Sequence, residues 1–278
     1  MQTVQFQDLG QMRYQAAWDF QTAVHRKLVD NKLGNRHLAP KSYPQEHQLL
    51  FVEHPPVYTL GKSGSMDHLL LTEVELAAQG IDFFPINRGG DITFHGPGQI
   101  VGYPILDLEC FFTDVHRYVR NLEEVIIRTI AEYGIEGYRI KDYTGVWVSP
   151  PQPPLEGGST SALEHPTIEI QSGSEPLGQP QIESKSASLL LKGVQGGAGA
   201  KICAIGVHLS RWTTLHGWAF NVNTPLEYFK NIIPCGIEDQ DKTVTSLSQL
   251  LGQTLDMAEV KEKLKRHFAA VFECEIAG

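Results

Sequence analysis

The chain has 278 residues, 41% of them hydrophobic, which is enough for a real core in one or two domains. Its net charge of −9, with no long basic run, argues against nonspecific nucleic-acid binding. The cysteines Cys110, Cys203, Cys235 and Cys274 show neither CxxC nor zinc-finger spacing, so no metal and no disulfide framework is expected.

The opening MQTVQFQDLG lacks a charged start followed by an apolar core, and no apolar run reaches the length of a membrane span. A soluble protein of a reducing cytoplasm is expected, with no membrane partner. A short strand near Thr3–Asp8 opens the chain. Tyr14, Trp18, Gln21, Val24 and Leu28 then fall at steps of three or four, which predicts an amphipathic helix over about Met12–Lys32 with Trp18 as a core anchor. Asn35–His47 is polar and reads as a surface connection. Gln48–Glu53 reads as a strand ending in His54-Pro55-Pro56. Gly61–His68 is a loop and Thr72–Gly80 a short helix stopped by glycine. A strand at Phe83–Asn87 leads into the glycine-rich loop Arg88–Gln99, RGGDITFHGPGQ, and Ile100–Leu106 follows as a buried strand.

Asp114–Gly134 has the clearest helical period, with Val115, Tyr118, Val119, Leu122, Ile126 and Ile130 on one face; it reads as a core helix without chemistry. Thr144–Ser149 is a strand. Residues 149–199 open with PPQPP and are rich in Ser, Gly, Pro and Glu, with an apolar run only at Ser188–Leu191. Such a composition offers little burial to offset ordering entropy, so this stretch reads as a mobile surface insertion, or alternatively as a lid or partner-contact element. Lys201–Ser210, KICAIGVHLS, alternates as a strand. Thr213–Val222 is a second strand, with Thr214, His216, Trp218, Phe220 and Val222 on one face and Leu215, Gly217, Ala219 and Asn221 on the other. Thr224-Pro225 opens a helical turn leading to Asn231–Ile237, NIIPCGI. Asp239–Lys242 is a charged loop. Helices at Thr245–Leu251 and Met257–Phe272 finish the chain, the latter with an Asp256-x-x-Glu259 capping arrangement. Strands that adjoin through turns, without regular βαβ alternation, predict an α+β fold with a mixed, largely antiparallel sheet flanked by helices.

The candidate chemistry centres on Cys235. Proline before it and glycine after it predict a turn that presents its thiol, whereas an isolated cysteine otherwise packs as a small hydrophobe. Lys201 begins its strand just after a glycine-rich run; it is either a solvated strand end or a group that favours the thiolate and passes protons to and from an amine. Arg88 and His95 sit among four glycines, where backbone can approach a ligand closely. The glycines lack GxGxxG spacing and no βαβ unit surrounds them, which excludes a dinucleotide site.

These segments resemble the signature stretches of the lipoyl(octanoyl) transferases: YQAAWDFQ, EHPPVYT, RGGDITFHGPGQIVGYPILDL, KICAIGVHLSRWTTLHGWAFNVN and NIIPCGI, in that order. The resemblance covers most of the chain outside 149–199, where the family pattern has only a quick turn. It implies the biotin/lipoate protein ligase-like fold, a single domain over 1–278, and Cys235 with Lys201 as catalytic pair. It implies an acyl site lined by Arg88, Gly89, Gly90, Asp91, Ile92, Thr93, Phe94 and His95, with Ala204, Ile205 and Gly206 on one strand and Gly217, Trp218 and Ala219 on the next. His54 is a further pocket candidate. The implied reaction moves an octanoyl group from acyl carrier protein to lipoyl domains of 2-oxoacid dehydrogenase E2 subunits and to glycine cleavage H protein, without a cofactor and as a monomer. An ATP-dependent lipoate or biotin ligase of the same fold is the alternative, and a catalytically idle binding protein is another.

Overall fold

The computed structural model describes residues 1–36, 45–150, 199–233 and 242–278. The expected Pro234-Cys235-Gly236 turn, residues 151–198 of the insertion and the middle of the Asn35–His47 connection lie outside the described residues.

The central sheet is built from β1 (Gln2–Gln11), β2 (His47–Glu53), β6 (Gln99–Ile105), β7 (Gly137–Ile140), β8 (Tyr143–Val148), β9 (Gly199–Ser210), β10 (Thr213–Asn221) and β12 (Cys274–Ala277). Their order is β12-β1-β2-β6-β10-β9-β8-β7, and β11 (Lys242–Val244) also pairs with β9. The middle of the sheet, β2-β6-β10-β9-β8-β7, is antiparallel throughout, whereas β12, β1 and β11 join in parallel. A second sheet, β4-β3-β5, is formed by β3 (Val57–Leu60), β4 (Asp82–Pro85) and β5 (Ile92–His95). The mixed, largely antiparallel sheet is therefore as expected. The segment read as a glycine-rich loop contains a fully buried strand, β5, and its partner β3 is too short to show a period.

Helix α3 (Val115–Ala131) and helix α5 (Met257–Phe272) pack on one face of the large sheet, where Tyr118, Leu122, Val125, Ile126 and Ile130 meet Trp218, Phe220, Leu264 and Phe268. Asp114 caps α3 through the Arg117 amide. Val115, placed on the inner face by period, is exposed, and the fully buried charged residue of that helix is Glu123. The capping box expected at α5 is half made: Asp256 accepts from the Ala258 amide while Glu259 pairs with Lys263. Helix α1 (Tyr14–Asn35) covers the other face through Ala17 and Leu28, against Val101, Tyr103 and Ala219. Trp18 is half-buried at the edge of this layer beside Tyr14 and Phe84, so Ala17 rather than Trp18 anchors the helix. Where β10 crosses β6, Trp218 stands opposite Gly102. A Cβ at Gly102 would lie 2.2 Å from the indole, so only glycine admits that ring into the sheet. The short helices α2 (Glu73–Gln79) and α4 (Leu247–Leu251) lie near their expected places, and among the described residues no helix is long and apolar enough to cross a membrane.

Candidate active site

The site forms where β5 and the loop before it meet β6, β9 and β10 under the start of α1. Arg88 is buried there. Its guanidinium donates to the Thr59 carbonyl at 2.8 Å, to the Thr59 hydroxyl at 3.0 Å and to the Gly89 carbonyl at 3.0 Å. The Gly89 amide in turn donates to the Val207 carbonyl, which ties the loop to β9. Asp91 accepts from the Ile92 amide and pairs at 2.5 Å with Nδ1 of His68. His68 and its neighbours also hold the chain that precedes Cys235: the Ile233 amide donates to the His68 carbonyl and the Leu70 amide to the Asn231 carbonyl.

A polar chain runs from His95 to Lys201. The Gln99 amide nitrogen donates to the Phe94 carbonyl and to Asn221 Oδ1, so its oxygen accepts from His95 Nδ1 at 2.9 Å. His95 is thus the Nδ1–H tautomer, with Nε2 facing the Thr59 hydroxyl. Asn221 donates to the Thr245 carbonyl, and the Thr245 amide donates to the Lys201 carbonyl.

Lys201 reaches the site because β9 does not alternate simply. Val146 of β8 pairs with Cys203 while the next residue, Trp147, pairs with Lys201, leaving Ile202 as an extra residue. Ala200, Ile202, Cys203 and Val207 turn to the α3 side, whereas Lys201, Ala204 and Gly206 line the cavity and Ile205 touches both. A bulge that re-aims a side chain in this way recurs beside active sites. Plain alternation through KICAIGVHLS would have put Lys201 on the face of Cys203. Lys201 is buried, with Nζ 4.7 Å from the centre of the Trp147 ring.

The cavity holds about 520 Å³ including its open mouth. Of the expected residues, Arg88, Gly90, Asp91, Ile92, Thr93 and His95 line it from the loop and β5. Ala204, Ile205, Gly206 and Lys201 line it from β9, and Gly217, Trp218 and Ala219 from β10. Gly89 and Phe94 stand outside the wall. Gly89 serves the bond to β9, and Phe94 stacks on Tyr228 at 4.6 Å on the far side. His54 lies behind the wall, with Nδ1 on the Met12 carbonyl and Nε2 on the Tyr103 hydroxyl. Tyr14, Val101, Tyr103, Thr144 and His216 line the cavity without having been singled out. Tyr14 carried a signal in the inward face of its helix, and Tyr103 only in lying within a strand read as buried. His216 was placed with Trp218 and Phe220, but its backbone is left-handed, φ 62°, and its Nε2 meets Asn87 at 2.8 Å.

Burial fixes the protonation of this wall. It holds His54 down to about 4 and His216 down to about 3, the latter also opposed by Arg88. Burial, with His54 and Arg88 adding to it, holds His95 well below the usual imidazole range, and burial pushes the Tyr14 and Tyr103 phenols up. Neutral imidazoles and phenols over an aliphatic floor suit an apolar chain with one polar end. A second hollow adjoins the first at Thr93, Lys201, Ala204 and Ala219, and is closed by Phe229 and Val244. Those two residues stand on either side of 234–241 in the sequence, so the chain before and after that stretch reaches the hollow that Lys201 lines.

The fold is that of solved lipoate protein ligases. A bipartite lipoate protein ligase from Thermoplasma acidophilum superposes with a TM-score of 0.60 at 12% identity, over 100% of this chain and 86% of that one. Lipoate-protein ligase A bound with ATP gives 0.58 at 12% identity, over 100% and 88%. Residues 13–269 match the lipoyl protein ligase A/B catalytic domain family. An octanoyltransferase of Flavobacterium psychrophilum is 46% identical over 275 residues, 99% of this chain and 98% of its own, and one of Bacteroides fragilis is 42% identical over 257 residues, 92% of each. The chain belongs to the octanoyltransferase family and is an acyltransferase.

Proposed function

We propose that the protein carries an octanoyl group from acyl carrier protein to a lysine of lipoyl domains, those of 2-oxoacid dehydrogenase E2 subunits and of glycine cleavage H protein, through a thioester on Cys235. The observation that carries this reading is the position of Lys201: buried, re-aimed by the β9 bulge, and set where the apolar cavity meets the hollow walled by Phe229 and Val244. The Cys235 thiolate attacks the octanoyl carbonyl carbon, and the carbon–sulfur bond to the carrier breaks. The departing carrier sulfur takes a proton from the Lys201 ammonium. The neutral Lys201 then takes a proton from the acceptor lysine as its nitrogen bonds to the carbonyl carbon, and Cys235 leaves as thiolate. No bound cofactor takes part. The protein works as a soluble cytoplasmic monomer of one domain with 149–199 inserted into it, and Arg88, Asp91, Thr93 and His95 hold the polar end of the acyl chain.

The test is intact mass after mixing with octanoyl-acyl carrier protein. One octanoyl adduct, released by hydroxylamine and missing from Cys235→Ser, is expected; full transfer activity in Cys235→Ser overturns the mechanism. Activity that needs ATP and free octanoate would instead select the ligase chemistry of the structural neighbours.

A further inference from the structure

Helix α3 turns an apolar face to the sheet, and within that face stands a carboxylate, Glu123, with no exposure at all. A buried charge is costly unless paired. Its Oε2 meets that need, accepting from Arg120 Nη1 of the same helix at 2.6 Å and from Arg139 Nε of β7 at 2.9 Å. Its Oε1 does something else: it accepts the backbone N–H of Gly145 at 3.1 Å.

Gly145 stands next to the place where the β8–β9 ladder breaks register. Its φ is +127°, closed to other residues, and a Cβ there would lie 2.5 Å from the Cys203 carbonyl oxygen and 3.6 Å from Lys201 Cε. The stem of Lys201 therefore runs across a bare α-carbon. Thr144, just before, lines the cavity, and Trp147, two residues after, gives its ring to Lys201 Nζ. A bulge leaves backbone groups outside the ladder, and a buried N–H must still be bonded. Glu123 supplies that bond at the point that decides which way Lys201 faces.

We propose that Glu123 is a positioning residue for the transfer reaction, pinning Gly145 of β8 so that the β9 bulge holds Lys201 toward the acyl cavity. This rests on Lys201 being the proton carrier. The pinning needs an oxygen that reaches Gly145, not a charge.

The experiment compares steady-state octanoyl transfer and melting temperature for Glu123→Gln, Glu123→Asp and Lys201→Ala. Glu123→Gln keeps an oxygen in reach and loses the ion pairs, so it melts lower but keeps kcat within about threefold. Glu123→Asp keeps the charge but is one methylene shorter; kcat falls on the order of tenfold to a hundredfold with KM unchanged, as expected for misplacing a catalytic group by about 1 Å. The reverse order, equal losses that follow melting temperature, or wild-type kcat in both variants overturns the proposal. If Glu123→Asp does not fold, Arg139→Met replaces it: full kcat at a lowered melting temperature supports the proposal and a lost kcat refutes it. Full activity in Lys201→Ala would remove the proton-carrier reading itself, whatever the Glu123 variants do.

Discussion

Replacing Ala219 by leucine tests directly whether the cavity between α1 and β10 holds the acyl chain. Ala219 is buried on β10, opposite Val101 of β6, and lines both the main cavity and the adjoining hollow. Leucine adds three carbons at a position facing the chain and displaces about as many methylenes of the substrate. At roughly 0.8 kcal/mol for each buried methylene, octanoyl transfer loses about 2.4 kcal/mol, a fall of roughly 60-fold in kcat/KM. A butyryl donor, four methylenes shorter, leaves the far end of the cavity free to take up the displacement and loses less. Overpacking against Tyr103 and α1 adds about 1–3 kcal/mol of destabilisation, read separately as melting temperature. The assay is kcat/KM for octanoyl and butyryl carrier protein in both proteins. Equal losses for the two donors, or no loss for octanoyl, would refute the assignment of this cavity.

Lys32 is buried with Asp107, 2.6 Å away, and also donates to the Arg211 carbonyl. Lys32→Met strands the Asp107 carboxylate, and denaturant unfolding is expected to show a loss of about 3–5 kcal/mol, with Lys32→Met/Asp107→Asn recovering part of it. Acid should destabilise the fold before any carboxylate titrates. His47, His54 and His216 are held neutral in the folded state, down to about 4, about 4 and about 3, against 6.5 for an unperturbed imidazole. Their unfolded forms bind protons first, so stability is full above pH 6.5 and falls as pH drops toward 4, by up to about 1.4 kcal/mol per pH unit for each histidine. Urea midpoints that stay level between pH 7 and pH 5 would contradict this.

Much of the fold was legible because its longest elements repeat a strong period. The apolar face of α3 appears at steps of three or four, the two faces of β10 at steps of two and β6 as a continuous buried run, and those elements stand within a few residues of expectation. Among the three strands of the small sheet only β4 was legible, expected at Phe83–Asn87 and found at Asp82–Pro85. β3 and β5 gain their stability from each other, from β4 and from Phe94 stacked on Tyr228, contacts that no short window contains. Glycine density around Arg88 suggested a loop, because glycine marks close approach as readily as it marks a turn.

The site divides along the same line. The residues that line it are those of dense motifs, and thirteen of the fifteen expected from Arg88–His95, β9 and β10 face the cavity: all but Gly89 and Phe94. What aims them is spread over the chain. A bulge at Ile202 has no marker in KICAIGVHLS, and the carboxylate that bonds the displaced backbone lies on a helix about eighty residues earlier, where period alone marks only an apolar face. Gln99, Asn221 and Thr245 look like ordinary polar residues of three separate elements, yet joined end to end they fix the tautomer of His95 and the backbone of Lys201. A motif can show which groups meet a substrate, since those groups must be of one chemical kind. The supporting bonds need only an oxygen or an N–H at the right place, which many residues at many positions can supply, and so they emerge only once the strands are paired.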